Sequence, residues 1–198
     1  MKKVFLKDLM EFSVKSLLAA GLCPEDAATA AEALITTDTF GVITHGTKNL
    51  NQYIQKMEAG GLDAKAVPTI VCEGPAFAII DGQKAIGMVS AFKAMNLAIK
   101  KAKEVGIAYV GVRNSCHFGA AGYYANLAAS QGLLGISVSN ADPVMAAPNG
   151  SRKAIGTNPF AFAAPLGNGK SVFLDVALSN VAALKVIMAK EKGMEIPN

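Results

Sequence analysis

The chain has 198 residues, enough for one large or two small domains with a sizeable core, and is 52% hydrophobic and 17% charged. That composition argues against disorder. The longest stretch free of Asp, Glu, Lys and Arg, residues 114–141, is broken by His117, Asn126, Ser130, Gln131 and several glycines, unlike the ~20 apolar residues of a membrane span. The net charge of +4 comes from scattered lysines with two arginines, Arg113 and Arg152, not from the clustered cations and interleaved aromatics of a nucleic-acid binder.

Met1 to Asp8 is basic but lacks an apolar targeting core and a small-residue cleavage site. Cys23, Cys72 and Cys116 are odd in number and show no metal-ligand or disulfide spacing. Together these features predict a soluble cytoplasmic protein with reduced thiols and no structural metal.

Leu6, Met10, Val14 and Leu17 recur at helical spacing and predict a helix over 5–20, ending at Gly21. Pro24-Glu25-Asp26 opens a second helix, with proline in the first turn and two acids at the positive end of the dipole; it stops at Gly41. A loop over 42–46 carries His45, and a third helix covers 47–58. Beyond Pro68, runs at 69–72 and 76–80 read as strands, followed by a helix over 88–105 and a strand over 107–112. The loop 113–119 carries His117 and leads into a helix to Ser130, then a strand over 133–138. A long Pro/Gly/Asn-rich connection reaches Asn158, strands cover 160–164 and 171–174, and a final helix covers 179–192. Alternating strands and helices predict an α/β fold, with residues 1–67 as an N-terminal helical layer and 68–198 as a sheet-containing domain.

No P-loop, Gly-x-Gly-x-x-Gly, nucleophile elbow or His-Glu-x-x-His motif is present. Gly119-Ala120-Ala121-Gly122 opens a helix and could offer backbone N–H groups to a phosphate, or could simply permit close packing. The only histidines, His45 in Thr44-His45-Gly46 and His117 in Cys116-His117-Phe118-Gly119, lie in loops beside glycine, where imidazole suits proton transfer near neutral pH. Asp175, just past the strand over 171–174, suits either a ribose hydroxyl or the capping of a turn. Gly156-Thr157-Asn158-Pro159 reads as a tight turn whose amide and hydroxyl could orient a ligand. Cys116 and His117 are adjacent, so their side chains diverge along an extended chain and do not form a nucleophile pair.

Taken in order, Gly41-Val42-Ile43-Thr44-His45-Gly46, Arg113 to Tyr124, Gly156-Thr157-Asn158-Pro159-Phe160-Ala161 and Leu174-Asp175-Val176-Ala177-Leu178-Ser179 resemble the malate/L-lactate dehydrogenase family of NAD(P)-dependent oxidoreductases. The resemblance runs along essentially the whole chain. It implies a non-Rossmann mixed β-sheet flanked by helices, a homodimer, and hydride transfer between NAD or NADP and a small 2-hydroxy/2-oxo acid such as malate, lactate or ureidoglycolate. One of His45 and His117 would exchange the proton with the substrate oxygen. Asn140, Ala141, Asp175, Val176, Ala177 and Ser179 would line the cofactor site; Thr44, Asn49, Thr157 and Asn158 would face the substrate.

Thr44 replaces the family's usual serine and keeps the hydroxyl. Asn49 stands where the family has an arginine near the substrate carboxylate, so a bidentate cation is lost there. Family chains also continue well past Ile196-Pro197-Asn198. The alternative expectation is therefore a truncated, non-catalytic paralogue or fragment that binds only nucleotide or a partner subunit, with apolar surface exposed where further elements would pack.

Overall fold

The computed structural model describes residues 3–179, 186, 189–190 and 192–195. The N-terminal helices follow their apolar spacing. In α1 (Leu6–Ala19), Leu17 is fully buried and Met10 and Val14 pack against the same core. In α2 (Pro24–Thr39), Ala27, Ala30, Ala31 and Leu34 are fully buried along one face, and their small side chains let the α1–α2 pair pack closely. The third helix departs from expectation at its start: Thr47–Asn49 forms a 3₁₀ turn, and α3 proper covers Leu50–Glu58. Asp38 explains the tight turn, because its carboxylate accepts both the backbone N–H and the hydroxyl of Thr47, at 3.1 and 2.5 Å.

A mixed sheet follows. Strand β1 (Thr69–Gly74) pairs antiparallel with β2 (Phe77–Asp81), and β2 pairs parallel with β3 (Tyr109–Arg113) after the crossover helix α4 (Gly87–Val105). Helix α5 (Ala121–Ser130) then leads to β4 (Gly135–Val138), which joins β7 (Pro159–Gly167) and β8 (Lys170–Ala177) in an antiparallel sheet ordered β4-β7-β8. Helix α5 packs on the inner face of this sheet, where Ala121, Ala125 and Ala129 meet Ala161 and Ala163. The larger core joins Leu17, Leu34 and Tyr53 of the helical layer to Met88 of α4 and Tyr124 of α5.

The structure corrects the sequence reading in several places. The connection before Asn158 contains a hairpin, β5 (Pro143–Ala146) and β6 (Lys153–Gly156), whose mostly exposed residues show no apolar alternation to reveal it. The described strands form three small sheets, β1-β2-β3, β4-β7-β8 and β5-β6. Strand β8 runs through Asp175 to Ala177, so Asp175 lies within a strand and not beyond its end. The expected helix over 179–192 lies for most of its length outside the described residues.

The outer face of β4-β7-β8 is apolar and open. Cross-strand rows place Ile136 with Phe162 and Leu174, and Val138 with Phe160 and Val176. Ile136 and Val138 are 58% and 59% exposed, and Leu174 is 51% exposed. No described helix is long and apolar enough to cross a membrane.

One close approach ties the fold to the His117 loop. A Cβ built on Gly87, the first residue of α4, would lie 2.4 and 2.5 Å from the carbonyl oxygens of His117 and Cys116. Backbone atoms cannot yield as a flexible side chain does. Gly87→Ala is therefore expected to cost about 1–3 kcal/mol of stability in urea unfolding, and to displace the His117 ring resonances in NMR spectra while those of α1 stay in place.

Candidate active site

His45 is placed by the turn that leaves α2. Phe40, at the end of that helix, packs on Phe173 of β8 with ring centroids 4.7 Å apart, which draws the turn toward the sheet. The turn is closed from behind: the buried Asn49 side chain donates to the Thr44 carbonyl at 2.8 Å. The Thr44 hydroxyl lies 2.9 Å from His45 Nδ1.

His117 is placed by the loop after β3. The Cys116 sulfur accepts the Gly87 N–H at 3.2 Å, and the Tyr124 hydroxyl donates to the Phe118 carbonyl at 2.5 Å. Burial pushes the Cys116 thiol up, so this sulfur stays protonated and anchors the loop instead of acting as a nucleophile.

These two loops bring the histidines together. Their rings stack with centroids 5.5 Å apart and 28° between planes. Burial, then the neighbouring His45 and Lys56, pushes His117 down to about 4. Burial also lowers His45, but the Asp175 carboxylate opposes that change. The same Asp175 accepts the Gly122 N–H through Oδ2 at 2.9 Å, so it caps the N-terminus of α5 from across the sheet. A Cβ on Gly122 would lie 2.8 Å from that oxygen, so glycine is needed for the contact. Of the backbone donors considered for a phosphate at Gly119 to Gly122, the Gly122 N–H thus already faces a carboxylate, and the Gly119 N–H points at His117 Nδ1.

The remaining residues named from the sequence gather at one end of the β4-β7-β8 sheet. Ala141 N–H donates to Asn158 Oδ1 at 3.0 Å, beside Asn140, and Leu178 N–H donates to the Thr157 carbonyl at 2.8 Å. Val176 and Ala177 pair with Phe160 and Pro159, and Ser179 follows two residues beyond. Asp175 is in the same strand. Asn49, by contrast, is 7% exposed and turned onto the loop backbone.

Two residues of the site escaped the sequence reading. Tyr53 reads as an ordinary core position of α3, yet its hydroxyl meets His117 Nδ1 at 2.5 Å. Asp38 has no motif around it and acts only through the fold.

The donor set matches one part of a dinucleotide and not another. Asp175 keeps its second oxygen without a hydrogen bond among the described residues, which suits a ribose hydroxyl. The diphosphate is not matched at α5, because the capping carboxylate would repel it. The residues therefore fit a ribose of such a group at Asp175.

Two measurements check this electrostatic arrangement. Asp175→Ala is expected to cost about 1–2 kcal/mol through loss of the helix cap, and Asp175→Asn less, since the amide oxygen still accepts. In both variants His45 should titrate lower than in the wild type, because the charge that raised it is gone. Both histidines are depressed below 6.5 in the folded chain, so the unfolded state binds more protons below that pH. The melting temperature is expected to hold above pH 6.5 and to fall as the pH drops toward 4, with a shallower fall in His117→Gln.

A sequence model described as malate/L-lactate dehydrogenase matches residues 4–198. The malate dehydrogenase of Pyrococcus abyssi is 43% identical over 190 residues, which cover 96% of this chain and 52% of that protein. The L-sulfolactate dehydrogenase of Methanocaldococcus jannaschii is 40% identical over 99% of this chain and 54% of that protein. Among solved structures, malate dehydrogenase from Entamoeba histolytica superposes with a TM-score of 0.96 at 34% identity, over 99% of this chain and 55% of its own. The chain spans about half the length of the curated relatives it matches. With a family match that runs through both histidine loops and the Asp175 strand, the chain belongs to the malate/L-lactate dehydrogenase family.

Proposed function

We propose that this chain serves hydride transfer between NAD or NADP and a small 2-hydroxy/2-oxo acid, with the paired histidines handling the substrate oxygen. The observation that carries the reading is the stack of His45 on His117, with the Asp175 carboxylate favouring a proton on one ring against the stronger effect of burial, and Tyr53 bonded to the other. A bound nicotinamide would supply or accept the hydride at the substrate's C2 carbon. The chain's own part is to hold the oxygen on that carbon and to manage its proton. Two imidazoliums 5.5 Å apart repel, so the pair holds at most one extra proton near neutral pH. That is the number the reaction exchanges.

Lys56 is close enough to disfavour a proton on His117, and the same positive field favours a substrate carboxylate. It supplies charge in a region where the family's arginine is replaced by Asn49. Asp175, Val176, Ala177 and Ser179, with Asn140 and Ala141, form the proposed cofactor edge; Thr44, Thr157 and Asn158 face the proposed substrate side, and Asn49 shapes the loop beneath it. The assembly is a homodimer, as the family resemblance implies, with the apolar face of β4-β7-β8 as surface for a second copy or for further chain elements, and the three free cysteines suit a reducing, cytoplasmic location.

The purified chain is expected to enhance and shift NADH or NADPH fluorescence on binding, and to oxidise the reduced cofactor with one of a panel of 2-oxo acids. His45→Ala and His117→Ala should each lower turnover by about 10²-fold or more while leaving cofactor affinity within a few-fold. Binding without turnover would leave only the nucleotide-binding reading. Absence of both would overturn the proposal for this chain.

A further inference from the structure

We propose that Tyr53 is a positioning residue which, with the Gly119 amide, fixes His117 as the neutral tautomer protonated at Nε2. Two contacts on one ring nitrogen carry this. The Gly119 backbone N–H points at His117 Nδ1 at 3.5 Å, and a backbone amide only donates, so Nδ1 presents a lone pair to it. The Tyr53 hydroxyl meets the same nitrogen at 2.5 Å. Tyr53 is 2% exposed, and its hydroxyl has no other hydrogen-bond partner among the described residues. Were Nδ1 protonated, the phenol would accept from it and its own proton would be buried without an acceptor, which costs about 1–3 kcal/mol. Both donors are satisfied only if Nδ1 is bare. In the neutral ring the proton then sits on Nε2.

The surroundings act in the same direction. The Tyr53 and His117 rings lie 5.9 Å apart at 30°, so the phenol borders the imidazole on its buried side, while His117 as a residue remains exposed. The charges that bear on it are His45 from the α2–α3 turn and Lys56 from α3, and both disfavour a second proton. The neighbouring Tyr53 and Cys116 are kept protonated by burial, so neither is an anion that would favour one.

The consequence for the proposed reaction, which rests on the hydride-transfer reading, is a division of roles. A neutral imidazole that gave up its Nε2 proton would become an imidazolate, so His117 donates a hydrogen bond and keeps its proton. In the reducing direction the C2 carbon gains the hydride, the carbonyl π pair moves to oxygen, and that oxygen takes its proton from the His45 imidazolium, which is left neutral. His117 holds the oxygen through Nε2–H before and after the step. Of the two rings, His45 is the one with a carboxylate, Asp175, that opposes the loss of its proton on burial.

The test is long-range ¹H–¹⁵N correlation spectroscopy on the ¹⁵N-histidine-labelled chain, with the His117 ring assigned by its loss in His117→Gln. The expected wild-type result near pH 7 is the Nε2–H pattern; an Nδ1–H pattern or an even mixture overturns the proposal without recourse to any variant. Tyr53→Phe keeps the ring and removes the hydroxyl. In that variant, with its fold checked by the backbone amide spectrum, the His117 titration midpoint should rise by roughly 0.5–1 pH unit, and the Nδ1–H form should become visible. An unchanged tautomer and midpoint would overturn the role of Tyr53. Neither readout depends on cofactor or turnover, so failure of the hydride-transfer reading would show separately in the fluorescence titration.

Discussion

The Asp175 carboxylate is the contact on which helix, sheet and site all depend. It projects from the inner face of β8, accepts the Gly122 N–H at the start of α5 and acts electrostatically on His45. A strand residue thereby completes a helix that lacks a capping side chain of its own, since Ala120 occupies the N-cap. The charge that satisfies the helix end also opposes the lowering of one histidine's proton affinity by burial. Helix capping and site electrostatics here are one interaction.

Around that contact the fold works by close approach. Alanines line the α5–sheet interface, and glycines at 87 and 122 admit the His117 loop and the Asp175 carboxylate to distances a Cβ would forbid. Small residues let backbone segments from four elements converge. The histidines can then stack although 72 positions separate them in the chain. Tyr53 supplies the third side of this arrangement from the helical layer, so the N-terminal helices contribute to the candidate site as well as to the core.

The two histidines are alike in sequence context and different in environment. His45 faces a carboxylate; His117 faces a phenol, a backbone amide and a lysine field. Environments that push like groups apart are the usual means by which one fold assigns unequal roles to equal residues. The open outer face of β4-β7-β8 gives a second asymmetry. One side of that sheet is fully used by α5, and the other presents apolar rows with no described element against them.

Much of this was legible in the sequence for local reasons. Helical spacing and punctuating glycines marked α1, α2 and α4 to within a residue or so, and ordered motifs marked the histidine loops and the turn at Thr157 and Asn158. The β5–β6 hairpin was not legible, because exposed strands carry no apolar alternation. The extent of β8 was not legible either: a carboxylate inside a strand looks like its end until a helix N-terminus is found opposite it. Tyr53 shows the same limit, since its spacing marks only a buried helix face. Sequence alone determined the main helices and most of the strands and placed the histidines in loops, because these follow from short-range periodicity and backbone preference. Which ring faces which partner was decided only in three dimensions, since hydrogen bonds and electrostatic fields depend on distances that chain separation does not encode.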